Sequence, residues 1–191
     1  MRESSLFGTN LVLRRTITTK LGDTAVEIRD EIENESSTEN VPCMVMYHCN
    51  AGFPLMDACS NFEIDIVESG NRDEIAAQGR KEESPLAFGE PIVGYDEQVF
   101  YHKLAADEQG WCHATMVNPD RKVALTVSYD SKELPYLIHW KCKDAGNYVT
   151  GIEPSNCHPE GLHKEEEYGT LRKLKAHEVI TTGITIRADM R

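Results

Sequence analysis

The strongest constraint on this chain is a succession of short strand-like runs and tight turns that leaves no room for a long amphipathic helix. Val26-Glu27-Ile28-Arg29-Asp30-Glu31-Ile32 alternates apolar and charged residues, the period-2 mark of a half-buried strand. A strand-like run at 11–19 and the turn signal Leu21-Gly22-Asp23 precede it, so the two predict an antiparallel hairpin. The acidic, Ser-rich stretch 33–40 reads as an exposed connection, and 41–47 as the next, more apolar strand. Residues 68–94 are the least strand-like: a short helical turn near 75–78, a charge cluster, and a Pro/Gly-rich loop. Strands resume at 98–104, 111–117, 123–129, 136–141 and 147–152, with a last pair at 168–174 and 178–186. The turns between them, such as Asn118-Pro119-Asp120 and Asp144-Ala145-Gly146-Asn147, carry the expected residues. This pattern predicts an all-β, antiparallel sandwich. With no internal repeat, low-complexity tract or linker, one domain over 1–191 is expected.

Bulk properties exclude several classes. A chain of 191 residues can bury a substantial core. Its net charge of −12 argues against a nucleic-acid or anionic-membrane partner, since both attract Lys and Arg. No apolar run approaches the roughly 18 residues of a membrane span. The N-terminus lacks the apolar core of a secretory signal, so a soluble cytoplasmic protein is expected. Six cysteines are too few for a disulfide scaffold of this length and read as free, mostly buried thiols. For a metal, the candidates are His48-Cys49 and Cys157-His158 with His163 nearby. Their spacings match no structural zinc pattern, and no metal site is expected.

Two segments carry the chemistry. Met46-Tyr47-His48-Cys49-Asn50-Ala51-Gly52-Phe53-Pro54-Leu55 and Tyr148-Val149-Thr150-Gly151-Ile152-Glu153-Pro154-Ser155-Asn156 each follow an apolar run and deliver one titratable side chain into a polar strand end. His48 is either a core histidine satisfied by backbone or a proton donor to a substrate oxygen; Asn50, Gly52 and Pro54 weaken the first reading and leave both open. Glu153 is either a solvated turn residue or a partly buried general base, whose charge Asn156 or Trp140 could stabilise. Asp96 and Glu97 are adjacent at a strand start and point to opposite faces, so at most one faces a shared pocket. Trp140 could stack on a sugar ring and Lys141 bond its hydroxyls, the alternative being a core Trp beside a surface Lys. The runs Lys81-Glu82-Glu83 and Lys164-Glu165-Glu166-Glu167 read as solvated surface. No phosphate loop and no nucleophile elbow appear, which leaves acid/base chemistry or plain binding.

These segments resemble the aldose 1-epimerase (galactose mutarotase) superfamily. The His48 segment is similar to its strand end with the catalytic histidine, Gly151-Ile152-Glu153-Pro154 to its segment with the catalytic glutamate, and Gly94-Tyr95-Asp96 to its substrate-binding turn. The match is best to a DUF4432-type branch, which shares the order of four motifs here: His48 to Leu55, Glu97-Gln98-Val99-Phe100-Tyr101-His102, Leu134-Pro135-Tyr136-Leu137-Ile138-His139-Trp140-Lys141, and Tyr148 to Asn156. The resemblance implies a galactose mutarotase-like β-supersandwich and a cofactor-free isomerase acting on a small-molecule sugar. Glu153 would take the anomeric proton while His48 protonates the ring oxygen; Asn50, Asp96 or Glu97, Trp140, Lys141 and Asn156 would hold the substrate. Family members are longer, and the likeness is to their C-terminal two thirds, so an N-terminal truncation is expected. The missing part would contribute strands, an arginine and a second histidine to the cleft, and open sheet edges would favour a homo-oligomer. The alternative function is a non-catalytic carbohydrate-binding or regulatory β-sandwich.

Overall fold

Strand pairing begins at the N-terminus of the protein, seen here as a computed structural model that describes residues 1–5, 9–37 and 40–191. Arg2–Ser4 (β1) pairs with Asn10–Thr19 (β2), which forms the expected hairpin with Ala25–Asn34 (β3). Ile17 lies opposite Ile28 and Leu13 opposite Ile32, so the apolar phase of the sequence sets the register. Gly22 sits in the turn at φ 83°, a backbone region costly for other residues. Of the connection that follows, residues 38 and 39 lie outside the described residues.

The strand expected over 41–47 forms only as Val41–Pro42 (β4). Pro42 lacks an N–H, and beyond it the chain is bonded piecemeal instead of by a ladder. Cys43 N–H donates to the Arg172 carbonyl (2.9 Å) and Tyr47 N–H to the Pro154 carbonyl (3.0 Å). The Asn156 side chain adds two more: Oδ1 accepts from Val45 N–H at 2.7 Å and Nδ2 donates to the Cys43 carbonyl at 3.0 Å, while the Val45 carbonyl accepts from Asn156 N–H and the Ser155 hydroxyl, each at 3.0 Å. Tyr47 is buried, and its hydroxyl donates to Asp30 Oδ2 at 2.7 Å. Asp30 is itself gripped by Arg15 through Nε (2.8 Å) and a terminal nitrogen (2.7 Å). Burial pushes the Asp30 carboxyl up, but the bonds from Arg15 and Tyr47 outweigh it and the net shift is downward.

Regular structure resumes at Cys49–Ala51 (β5), Asn61–Glu63 (β6) and Ile66–Asn71 (β7). β7 corrects the reading of 68–94 as non-strand. It pairs only with Gln98–Leu104 (β8), breaks register between Ile66 and Glu68, and presents Glu68, Ser69 and Asn71 to solvent. A polar, kinked edge strand is protected from adding further strands, and for the same reason it lacks the apolar alternation of an interior strand. Between β7 and β8, Glu74–Glu82 (α1) starts at Asp73, whose side chain caps Ala76 N–H.

Trp111–Asn118 (β9), Val123–Asp130 (β10), Tyr136–Asp144 (β11) and Asn147–Ser155 (β12) fall where the alternation predicts. The strand expected at 168–174 is mostly wrong. Leu162–Tyr168 (α2) is helical, ended by Gly169 at φ 69°, and only Lys173–Leu174 (β13) is extended. The charged run 164–167 favours helix by composition, and its Glu165 is buried instead of solvated. Val179–Met190 (β14) completes the chain.

The strands form two main antiparallel sheets, in the orders β1-β2-β3-β14-β10-β9-β6 and β5-β12-β11-β8-β7. The core joins both: Ala114, Met116, Val127 and Ile184 from the first sheet meet Leu137 and Ile152 from the second. Phe62, Phe88 and Met56 fill the space around them. All six cysteines are free, with Cys43, Cys112, Cys142 and Cys157 buried. No helix among the described residues is long and apolar enough to cross a membrane.

Because one side chain replaces the ladder at 43–45, Asn156→Ala is expected to cost about 2–4 kcal/mol, two lost hydrogen bonds plus a stranded donor and acceptor. A lowered urea midpoint with an unchanged m-value is the expected readout. A midpoint within error of the wild type would show that water replaces the amide without loss.

Candidate active site

The pairing of β5 with β12 sets Asn50 opposite Gly151 and Cys49 opposite Ile152. One step further, His48 meets Glu153: Nε2 lies 3.0 Å from Oε1. The two residues, 105 positions apart, are thus neighbours across a strand pair. Their environments differ sharply. The Glu153 side chain is 4% exposed and that of His48 49%. Although the two atoms are close, Oε1 receives no well-aligned hydrogen bond. Burial accordingly pushes the Glu153 carboxyl up to about 7, and the negative charge of Glu97 adds to the effect.

Gly151 makes this geometry possible. A Cβ at that position would lie 2.0 Å from Glu153 Oε1, so the carboxylate occupies the space a side chain would take. Trp140 lies opposite Gly151 on β11, and its ring meets that of His48 edge-on, with centroids 5.8 Å apart. Its indole Nε1 donates to Glu97 Oε2 at 2.8 Å. Arg72 holds the other Glu97 oxygen at 3.2 Å. Residues directly opposite in an antiparallel sheet share a face. Asn50, Trp140, His48 and Glu153 therefore line one side of the five-stranded sheet, with Glu97 at its margin.

Three other expected substrate-binding residues are placed differently. Asp96 is exposed and lines a cavity of about 560 Å³ together with Glu74 and Gln78 of α1, so of the adjacent acids it is Glu97 that joins Trp140. Lys141 points to the opposite face from Trp140, is fully buried, and donates to Glu83 Oε1 (2.9 Å) and the Ala87 carbonyl (2.6 Å). Its ammonium is committed to the back of the sheet. Asn156 spends both ends of its amide on residues 43 and 45, which makes it a brace for the His48 segment and not a free contact. Sequence reasoning missed Arg72 and the need for Gly151. Arg72 lies beyond any recognisable motif; Gly151, two residues before an inward carboxylate on a strand, is a legible signal.

The DUF4432 family profile, described as a domain of unknown function, matches residues 1–188. The chain belongs to the DUF4432 family. Among solved structures, this DUF4432 chain is similar to a candidate aldose 1-epimerase from Klebsiella pneumoniae, with a TM-score of 0.92 at 23% identity over 98% of this chain and 48% of that one. It is also similar to a galactose mutarotase-like protein from Clostridium acetobutylicum, with a TM-score of 0.61 at 15% identity over 100% of this chain and 65% of that one. A candidate aldose 1-epimerase from Escherichia coli K12 gives a TM-score of 0.61 at 13% identity, over 100% and 68% of the respective chains. No curated protein matches the sequence significantly. The fold is thus a galactose mutarotase-like β-sandwich, and the chain spans about half the length of the Klebsiella protein.

Two predictions follow from the buried carboxylate. Its folded-state pKa of about 7 lies above the ordinary 4.5, so the stability it contributes when protonated is present at low pH and lost as pH rises from 4.5 through 7. Glu153→Gln keeps the neutral form at every pH. The variant should therefore be more stable than the wild type at pH 8, by at most about 3 kcal/mol, with the gap closing by pH 4. Calorimetry at both pH values tests this; a lower melting temperature at pH 8 would contradict it. Gly151→Ala should leave the sandwich folded but swing the carboxylate away from His48, because the clash is with the end of a flexible side chain. A Glu153 carboxyl that still titrates near 7 by carbon-13 NMR in that variant would refute the role given to Gly151.

Proposed function

We propose that this DUF4432 protein interconverts the α and β anomers of an aldose, as a mutarotase-like isomerase working by acid/base ring opening. The observation that carries the reading is the placement of His48 beside Glu153 at 3.0 Å, one exposed and one desolvated. In a cyclic aldose the anomeric hydroxyl and the ring oxygen are bonded to the same carbon. An acid and a base that serve them must therefore be near neighbours, which the 3.0 Å approach of His48 to Glu153 supports.

The proton inventory closes on the two residues alone. Ionised Glu153 takes the proton of the anomeric hydroxyl while protonated His48 gives one to the ring oxygen. The bond from the anomeric carbon to the ring oxygen breaks and an aldehyde forms. Rotation about the C1–C2 bond turns the carbonyl over. Glu153 then returns its proton to the carbonyl oxygen as the ring oxygen re-attacks and His48 recovers its own. Desolvation suits Glu153 to this work, since a base with a pKa near the operating pH balances ionisation against proton affinity. Trp140 offers a flat apolar surface for the ring, and Asn50 and Glu97 offer hydrogen-bonding groups for its hydroxyls. The competing reading is binding without turnover, favoured by the exposure of His48, which leaves the acid open to water.

Anomer exchange of D-glucose and D-galactose, followed by NMR, is expected to exceed the buffer rate. His48→Ala and Glu153→Gln should each lower it by roughly 10²-fold or more. Because Glu153 acts only when ionised, the rate should fall as pH drops below about 7. Binding with exchange no faster than buffer would decide for the binding-only reading, and full activity in both variants would remove the assigned roles.

A further inference from the structure

A second group of polar side chains stands on the same face as Glu153. Glu165 of α2 is fully buried, and its Oε1 accepts from both the backbone N–H and Nδ1 of His158, each at 2.9 Å. Its Oε2 accepts from the Thr170 hydroxyl at 2.8 Å. With Nδ1 donating to the carboxylate, the Nε2 edge of the His158 ring is left for another partner. That ring is clasped by Tyr136 and Tyr101, at centroid distances of 4.4 and 4.7 Å. A cavity of about 190 Å³ opens there, lined by His158, both tyrosines, Lys103 and Gly70. Burial, with the charge of nearby Glu160 and a hydrogen bond toward it, pushes the pKa of the Tyr101 hydroxyl up. Gly70 leaves one flank open, since a Cβ there would meet nothing within 4 Å.

The register ties this cavity to the candidate active site. Glu153 lies opposite Ile138 and Ile138 opposite Tyr101, so two strand spacings, about 10 Å, separate Glu153 from Tyr101 along one face. Lys103 is paired with Glu68 at 2.8 Å, and Glu160 and Glu165 add acidic groups nearby, so an anionic group is disfavoured. Aromatic walls, a tyrosine hydroxyl and an imidazole edge fit a neutral, hydroxyl-bearing ring.

We infer that the cavity between His158, Tyr101 and Tyr136 is a second sugar subsite, and that the substrate is a reducing disaccharide whose non-reducing ring sits there while its reducing ring engages Glu153. This deepens the proposed ring-opening function and rests on it. Glu165 acts as a positioning residue, fixing the tautomer of His158.

The test compares anomer exchange of lactose with that of D-glucose, the sugar at its reducing end. The wild type should favour lactose by about tenfold in kcat/KM, the effect of one neutral hydrogen bond. Tyr101→Phe, which removes the hydroxyl and keeps the ring, should bring that ratio close to one, and His158→Gln should lower it likewise. Saturation-transfer NMR on Glu153→Gln separates binding from turnover: protons of the non-reducing ring of lactose should show contact, lost when Tyr101→Phe is added. If neither sugar exchanges but this Tyr101-dependent contact is present, the ring-opening function fails and the subsite stands. If both sugars exchange at ratios that Tyr101→Phe leaves unchanged, the subsite is overturned and ring opening stands. Neither exchange nor contact overturns both.

Discussion

The backbone of residues 43–48 has no ladder of its own, and the position of His48 depends on bonds lent to it from elsewhere. Most come from the stretch just after Glu153. Pro154 supplies a carbonyl to Tyr47, and the Asn156 amide holds residues 43 and 45. His48 and Glu153 are thus located by the same few residues at the end of β12, so a small shift of that strand end moves both together. A polar tie to the other sheet is the Tyr47 hydroxyl on Asp30, whose charge is kept in place by Arg15. A buried carboxylate with two strong donors is rigid, because losing either would leave an uncompensated charge.

The two faces of β11 show how polar groups are managed in so small a sandwich. In front, Glu153 is left short of donors and Glu97 is held nearby, which keeps the carboxyl reactive at a cost in stability. Behind, Lys141 and Lys143 are both buried and share one carboxylate, Glu83 at the end of α1. There both ammonium groups find a carboxylate partner, two cations on one anion. The contrast between an under-satisfied carboxyl and hydrogen-bonded ammonium groups one residue pair apart distinguishes the two faces of the sheet.

The parts of the fold that were legible in the sequence are those where one local rule dominates. Strands β8 to β12 carry strong alternation bounded by Asp, Asn and Gly turns, and they fall within a few residues of expectation. Segments whose conformation is imposed from outside were not legible. Residues 43–47 look like a strand but are bonded by a side chain 111 residues away, and α2 hides within a charged run because its one buried acid serves His158. Within the site, His48, Glu153, Trp140 and Glu97 converge as their motifs suggest. Lys141 does not, and simple geometry forbids it: adjacent residues of a strand face opposite sides, so the argument that separates Asp96 from Glu97 separates Trp140 from Lys141 as well. Arg72 left no local signal, since only the tertiary fold brings it to Glu97.

The strand orders also set a sequence of events during folding. The five-stranded sheet that carries the candidate site is built from residues 49 to 155; β7 with β8, β8 with β11 and β11 with β12 join strands near one another in the chain, whereas β5 with β12 joins Ala51 to Thr150. The seven-stranded sheet is different: β14, the last strand, inserts between β3 and β10. Until residues 179–190 have left the ribosome, β3 and β10 have no common neighbour, and the first three strands remain a hairpin with an open edge. Closing a pairing across some 150 residues is a slow, high-separation step. The seven-stranded sheet is therefore locked only once β14 is available to pair with both β3 and β10.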